Sequence, residues 1–466
     1  MASQILRQGL PTDSLWDLLG DMLMPVLQLL SPRELHVLSL VSKASRAHCE
    51  PLLYSSIEWT WLEDRPPPIT AFIRTILRRP ELAAHVRSVS LLGDSFISYQ
   101  YDRPTIPPRI NTAALDYQEA MKAMELTKVN FKMQLSWRDQ MAHGTMDILT
   151  TLLLSQLYRV RKLVLGPIFT FETGILRQLF LAAAFKQASH EVPTYQHLQV
   201  VCLNFSAKQG RHGYPLRSID LQPWFYLPAV RDLAILSSMP MEWDILTIQT
   251  PASSLLTTLH LTAVEPKHLG QLLSMTPALQ KLRYNWYYRS GVDLRRPEEG
   301  SVWINLDDIS LALLHVRKTL EVLVITGKVV LEEHYDYDFL EFEGTLGRIV
   351  DLHRLKSLQI PLPFLTGEFD ACGAVAEEEM FPRNLESLTI TDDLLLDWPW
   401  KENWDDDAVS SALQRCTYRL RNLKRVKTEL CLNTLVLKGV EESWSPFTKE
   451  QLSLFRSRFL GHETLK

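Results

Sequence analysis

Cysteine is scarce in this sequence, and what there is does not pair. The five cysteines (Cys49, Cys202, Cys372, Cys416 and Cys431) are scattered over 466 residues without a Cys-x-x-Cys spacing. That argues against a disulfide framework and predicts reduced thiols in a cytoplasmic or nuclear compartment. Long apolar runs are missing too, none reaching the roughly 18–20 residues of a membrane span. The N-terminal stretch carries Asp13, Asp17 and Asp21 and lacks a compact apolar core before a small-residue cleavage site, so no secretory signal is expected. Positive charge is not in excess: Lys and Arg total 49 against 54 Asp and Glu, for a net charge of −5. No global footprint for nucleic acid and no polybasic membrane anchor follow from that balance.

Catalytic constellations are also absent. There is no G-x-S-x-G, no Walker-type glycine loop, no G-x-G-x-x-G and no H-E-x-x-H. None of the 13 histidines pairs with a cysteine at zinc spacing. The carboxylates between Glu332 and Asp338 read as a solvated acidic loop. Neither a metal, a cofactor nor an enzyme activity is expected.

What is present is organised by position. A chain of this length exceeds what one growing core accommodates, so it predicts two or more domains or an elongated repeat array. Ser31 is a helix cap, Pro32 fits the first helical position and Glu34 completes a capping box. Leu35, Leu38 and Val41 follow at helical spacing, after an apolar helix-like run from Leu23 to Leu30. Arg65-Pro66-Pro67-Pro68 punctuates the chain stiffly. These features divide it into a helical domain over 12–60, a linker over 61–84 and a repeat domain over 85–466.

In that last region one phrase recurs: apolar, two residues, apolar, one residue, apolar. Copies begin at Val86, Val160, Leu198, Val230, Leu256, Leu279, Leu320, Leu355, Leu385, Leu423 and Leu432, each with a polar residue directly after the first apolar one. From Val160 to Leu423 they start about 23 to 41 residues apart, in or near the range of solenoid repeats. The longer gap before Val160 predicts a helical or irregular insertion. Amphipathic helices are expected over Met146–Arg159, Glu172–Ser189, Lys267–Met275, Asp307–Lys318 and Asp405–Arg415. The fold class is therefore α/β, one strand plus one helix per unit. The phrase resembles the strand segment of leucine-rich repeats, which implies an irregular solenoid, or horseshoe. Its usual asparagine position is filled here by residues such as Asp94, Ile168 and Ser206. A doubly wound parallel sheet remains the alternative, because it too alternates strands and helices.

The opening segment resembles an F-box, from Leu19-Gly20 through Leu23, Val26, Leu27 and Leu30 to Pro32, Leu35, Leu38 and Val41-Ser42-Lys43. The family's Leu-Pro opening stands here as Leu19-Gly20, with Leu10-Pro11 nine residues earlier. The resemblance implies that Leu19, Leu23, Val26, Leu27, Leu30, Pro32, Leu35, Leu38 and Val41 contact a Skp-type adaptor and, through it, a cullin. The whole chain resembles filamentous-fungal F-box proteins with irregular leucine-rich repeats. Such a protein is the substrate receptor of an SCF-type ubiquitin ligase. Alternation along the strands places Lys162, Asn204, His260, Lys281, Arg283, Asn285, Arg425 and Lys427 on the face open to a protein substrate. Two other readings stay open: a leucine-rich scaffold outside the ubiquitin system whose N-terminal helices are a cap, and an α/β enzyme with an unrecognised site.

Overall fold

In the computed structural model the described residues are 20–62, 65–93, 109–113, 115–127, 131–170, 173–185, 193–203, 218–236, 254–289, 301–330, 339–366, 381–391 and 393–394. The chain opens with a 3-10 turn, Gly20–Met22, and three short helices, α1 (Leu23–Gln28), α2 (Pro32–Ser39) and α3 (Lys43–Leu53). The capping box at α2 is complete: the Ser31 hydroxyl accepts from the Glu34 amide at 3.3 Å, and the Ser31 amide donates to the Glu34 carboxylate at 2.7 Å. Ser42 repeats the device for α3, accepting from the Ser45 amide at 3.0 Å. Leu23, Leu27, Leu35 and Cys49 form a small core of their own, flanked by Leu30, Leu38, Leu52 and Leu53.

The stretch expected as a linker is part of the main core instead. Helix α4 (Ile69–Arg78) starts directly after the three prolines and buries Ile69, Ile73 and Ile76, one side of a helix at its own period. A 3-10 helix over Pro80–His85 adds Leu82 and Ala83. Proline cannot continue a helix from its interior but is tolerated at a start. The run Pro66–Pro68 thus sets the place where α4 begins rather than separating two domains.

Every copy of the phrase from Val86 to Leu385 supplies one strand. These are β2 (Ser88–Leu92), β3 (Lys162–Leu165), β4 (Val200–Leu203), β5 (Asp232–Leu236), β6 (Thr258–Thr262), β7 (Lys281–Arg289), β9 (Val322–Val330), β11 (Ser357–Pro361) and β12 (Ser387–Thr391). The copies at Leu423 and Leu432 and the expected helix Asp405–Arg415 lie outside the described residues. One more strand, β1 (Ser56–Thr60), completes a sheet of ten. It repeats the phrase with Tyr54, Ile57 and Trp59, two of them aromatic, so the sheet starts inside the segment assigned to the helical domain.

All neighbouring pairs in this sheet are parallel, and strand order follows chain order. Only β8 (Ser301–Asn305) and β10 (Phe339–Glu343) step aside, pairing with each other. Register aligns the phrase with itself. One buried row runs Ile57, Val89, Leu163, Val201, Leu233, Leu259, Leu282, Leu323, Leu358 and Leu388 across the ten strands. A second begins at Leu91 and ends at Ile390. The residues between these rows are for the most part half-buried or exposed. A doubly wound sheet covers both faces and reverses its strand order at a switch point. Among the described residues neither happens.

The insertion before β3 is helical: α5 (Tyr117–Leu126), α6 (Phe131–His143) and α7 (Met146–Gln156). Helix α7 is buried all round, from Met146 to Ser155, because α4, α5, α6 and α9 (Gly174–Phe185) surround it. Its Asp147 carboxylate reaches across to accept from the amides of Ile175 at 2.7 Å and Leu176 at 2.9 Å, capping α9. The short helix α8 (Pro167–Thr170) precedes α9; α10 (Ser218–Tyr226), α11 (Pro266–Ser274), α12 (Leu306–Leu313) and α13 (Leu362–Thr366) follow it. Among the described residues no helix is long and apolar enough to cross a membrane.

Candidate functional site

Apolar residues surround α1: Met22, Leu23, Met24, Val26, Leu27, Leu29 and Leu30 fill nearly every position. A helix of that kind is stable in water only if both sides are covered. The small core covers one side. Away from it, Met22 is 62% and Leu29 86% exposed, with Met24 and Val26, and on α2 and just after it Leu40 is 63% and Val41 72% exposed, with Val37. Most of the exposed large apolar side chains among the described residues sit between Met22 and Val41. A cluster of this kind marks an interaction surface, whereas apolar residues exposed singly need no explanation.

This geometry sorts the expected adaptor contacts. Val26, Pro32 and Val41 are exposed, and Leu30 and Leu38 are half-buried at the rim of the small core. Leu23, Leu27 and Leu35 were expected at the partner's surface, but they point inward to Cys49. The i, i+3, i+4 spacing that selects them is the spacing of the buried stripe, so it finds the side facing the module itself. Met22, Met24, Leu29, Val37 and Leu40 escaped that pattern. Their signal is the doublets Leu29-Leu30 and Leu40-Val41, where apolar character spills past one stripe. Leu19 lies outside the described residues.

The module is seated firmly on the sheet end. Arg79 donates from both terminal nitrogens to the Glu50 carboxylate, each at 2.8 Å, and from Nε to Glu81 at 2.8 Å. Hydrogen bonding from Arg79 holds the Glu50 carboxyl below the ordinary carboxylate value. Phe72 packs against Tyr54 and meets the Trp59 ring edge-on, with centroids 5.9 Å and 5.4 Å away.

On the open sheet face the structure brings some expected substrate contacts together and separates others. Thr258 pairs with Lys281, His260 with Arg283 and Thr262 with Asn285 across β6 and β7. Lys162 stands three strands away, about 14 Å at ordinary strand spacing. Lys162, His260, Lys281 and Arg283 are exposed. Burial first, and Arg283 next, hold the His260 imidazole below the ordinary histidine value, so it is neutral at neutral pH. Asn285, expected to meet a substrate, is engaged within the sheet. Its amide donates to the Thr262 hydroxyl at 3.0 Å and its carbonyl accepts from the Thr326 hydroxyl at 2.7 Å, a side-chain ladder over three strands. Asn204, Arg425 and Lys427 lie outside the described residues. The aromatic run at Trp286, Tyr287 and Tyr288 is buried at the far end of β7.

Elsewhere, a polar cavity of about 260 Å³ opens among Arg109, Ser136, Gln140, Asp147, Gly174, Ile175 and Gln178. Its one carboxylate is the α9 cap, committed to two backbone amides. Among the described residues no group of His, Cys, Asp and Glu is arranged to hold a metal ion. Cys49 and Cys202 are free thiols, both pushed up by burial. Comparison with protein-family models and with curated proteins finds no match for this chain.

Proposed function

We propose that this chain is the substrate receptor of an SCF-type cullin ubiquitin ligase. Helices α1 and α2 dock onto a Skp-type adaptor, an irregular leucine-rich solenoid holds a protein substrate, and the chain performs no chemistry of its own. Its contribution is proximity, which raises the effective concentration of substrate lysines at the conjugating enzyme. One observation carries this: the exposed apolar surface between Met22 and Val41, on the segment that resembles an F-box. The sequential parallel strands with one buried face suit a stack of repeats, each burying its apolar side against the next.

A scaffold unrelated to ubiquitin, with the helices as a cap, draws support from the Glu50–Arg79 clamp and from β1, which join the module to the sheet end. Caps on repeat arrays need a polar outer side for solubility. The outer side here is apolar, and that favours docking.

The test is co-expression of the full chain with a Skp-type adaptor. Copurification is expected, and Leu29→Asp with Leu40→Asp is expected to abolish it while leaving the unfolding transition in place, because both side chains already face water. No complex with the wild-type chain, or full capture by the double variant, sinks the assignment.

A further inference from the structure

Some surface cations on this protein are paired with carboxylates. Arg79 bonds Glu50 and Glu81, Arg138 bonds Glu125, Lys356 bonds Glu321 and Arg348 meets Asp351. One group is distinguished by its crowding. Where β2 and β3 begin, Arg87, Arg159, Arg161 and Lys162 come together, and among the described residues none of the four has a carboxylate at ion-pair distance.

The phrase and its register make the cluster. The position after the first apolar residue of each copy is polar, and in the copies at Val86, Val160 and Val230 it is arginine. Backbone bonds align those positions: the Arg161 amide donates to the Arg87 carbonyl at 2.7 Å, Gln199 to Arg161 at 2.8 Å and Arg231 to Gln199 at 2.9 Å. Adjacent strands lie about 4.8 Å apart, so Arg87 to Arg231 spans about 15 Å. Arg231 is the outer member, with its guanidinium on the Leu255 carbonyl at 3.0 Å and Asp232 as its chain neighbour. Arg159, Arg161 and Lys162 are exposed, and Arg87 is half-buried beneath them. Like charges held this close repel, which shows at Arg87: burial first, then Arg159 and Arg161, hold it below the ordinary guanidinium value. In a chain of net charge −5, this local positive cluster stands against the overall sign.

We infer that the edge where β2 and β3 begin is a docking site for an acidic, glutamate- and aspartate-rich peptide segment of a protein partner. Planar guanidinia match carboxylates bidentately, and an anionic chain lying across the strand starts relieves the repulsion. Nucleic acid fits less well. Its recognition needs a long basic stripe with stacking platforms, and here Tyr158, under the Arg159 guanidinium at 5.7 Å, is the aromatic ring at hand. Alongside the cations the next row on that face runs from Glu58 at the β1 edge to Ser90, Val164, Cys202 and Ala234, and from β2 to β5 none of its side chains is larger than valine. Calling that peptide a substrate rests on the receptor reading; its binding does not require the adaptor, so the two fail separately.

The experiment is fluorescence anisotropy with the full chain and a fluorescein-labelled Glu/Ser peptide of about twelve residues, enough to cross the edge extended. Saturable binding is expected, weakening steeply between about 50 and 300 mM salt. Arg161→Glu with Lys162→Glu should reduce affinity about tenfold or more, and Arg161→Gln with Lys162→Gln by less. Lys318→Glu, a charge reversal at an exposed lysine outside the cluster, should leave affinity unchanged. Absence of binding at low salt, an equal loss with Lys318→Glu, or tighter binding of a twelve-nucleotide single strand than of the peptide overturns the inference.

Discussion

At the scale of single residues, Glu50 and Arg79 matter most, because they fix the N-terminal helices to the rest of the molecule. Removing one partner leaves a half-buried charge without its neutralising bonds. Glu50→Gln should therefore lower stability by about 1–2 kcal/mol in urea unfolding at neutral pH. The sign with pH follows from the direction of the shift. Arg79 depresses the folded-state carboxyl below its ordinary 4.5. The stabilisation is thus complete above that ordinary value and is lost as pH falls through the depressed one. The difference between wild type and Glu50→Gln should be constant above about pH 5.5 and shrink in more acidic solution. A difference that grows with acid would assign the pair another role. Nothing in the sequence announces the pair: the two residues lie 29 positions apart in the chain, Glu50 on α3 and Arg79 just past the end of α4.

At the scale of elements, the legible features are those written within one turn or one strand. Ser31-Pro32-Arg33-Glu34 specifies the start of α2 because cap and partner are three residues apart, and the structure reproduces both bonds. The recurring phrase specifies nine strands for a similar reason, since alternation within five residues sets which side is buried. Expected helix ends shift by a few residues: Met146–Arg159 becomes α7 at Met146–Gln156, and the helix expected from Glu172 starts at Gly174, its expected end at Ser189 lying outside the described residues. The cap of α9 was not legible, because its acceptor sits on another helix. Asp147→Ala should remove two charge-assisted bonds from the Ile175 and Leu176 amides and cost about 2–3 kcal/mol. Hydrogen exchange read at those two amides checks this. Protection there should fall more than protection along β6, which is remote from the cap.

At the scale of the whole molecule, the seam between the helical module and the sheet decides which experiments discriminate. Deleting residues 1–60 looks like a clean removal of a docking domain. It also removes β1, whose Ile57 belongs to the main core and whose backbone covers the edge of β2. The deletion should therefore aggregate whatever the helices bind, since it bares an apolar edge strand. Light scattering after expression checks this, and a soluble, monomeric product would mean the sheet tolerates the loss of its first strand. Point changes at Leu29 and Leu40 leave that seam intact, so adaptor capture is best read from them.

The sequence by itself determined the nine strands of the recurring phrase, the capped helix and the concentration of apolar residues near the N-terminus. These depend on residues within a few positions of one another, where spacing and covalent geometry dictate the outcome. Tertiary structure decided which side of α1 and α2 meets water, since that depends on where Cys49 and Leu35 pack. It also made Asn285 a ladder residue and gathered Arg87, Arg159, Arg161 and Lys162 at one edge. Parallel register joins positions some 74 residues apart between Arg87 and Arg161, a proximity no local pattern contains. An apolar stripe is read from the chain, but the side left open is fixed only when the elements have packed.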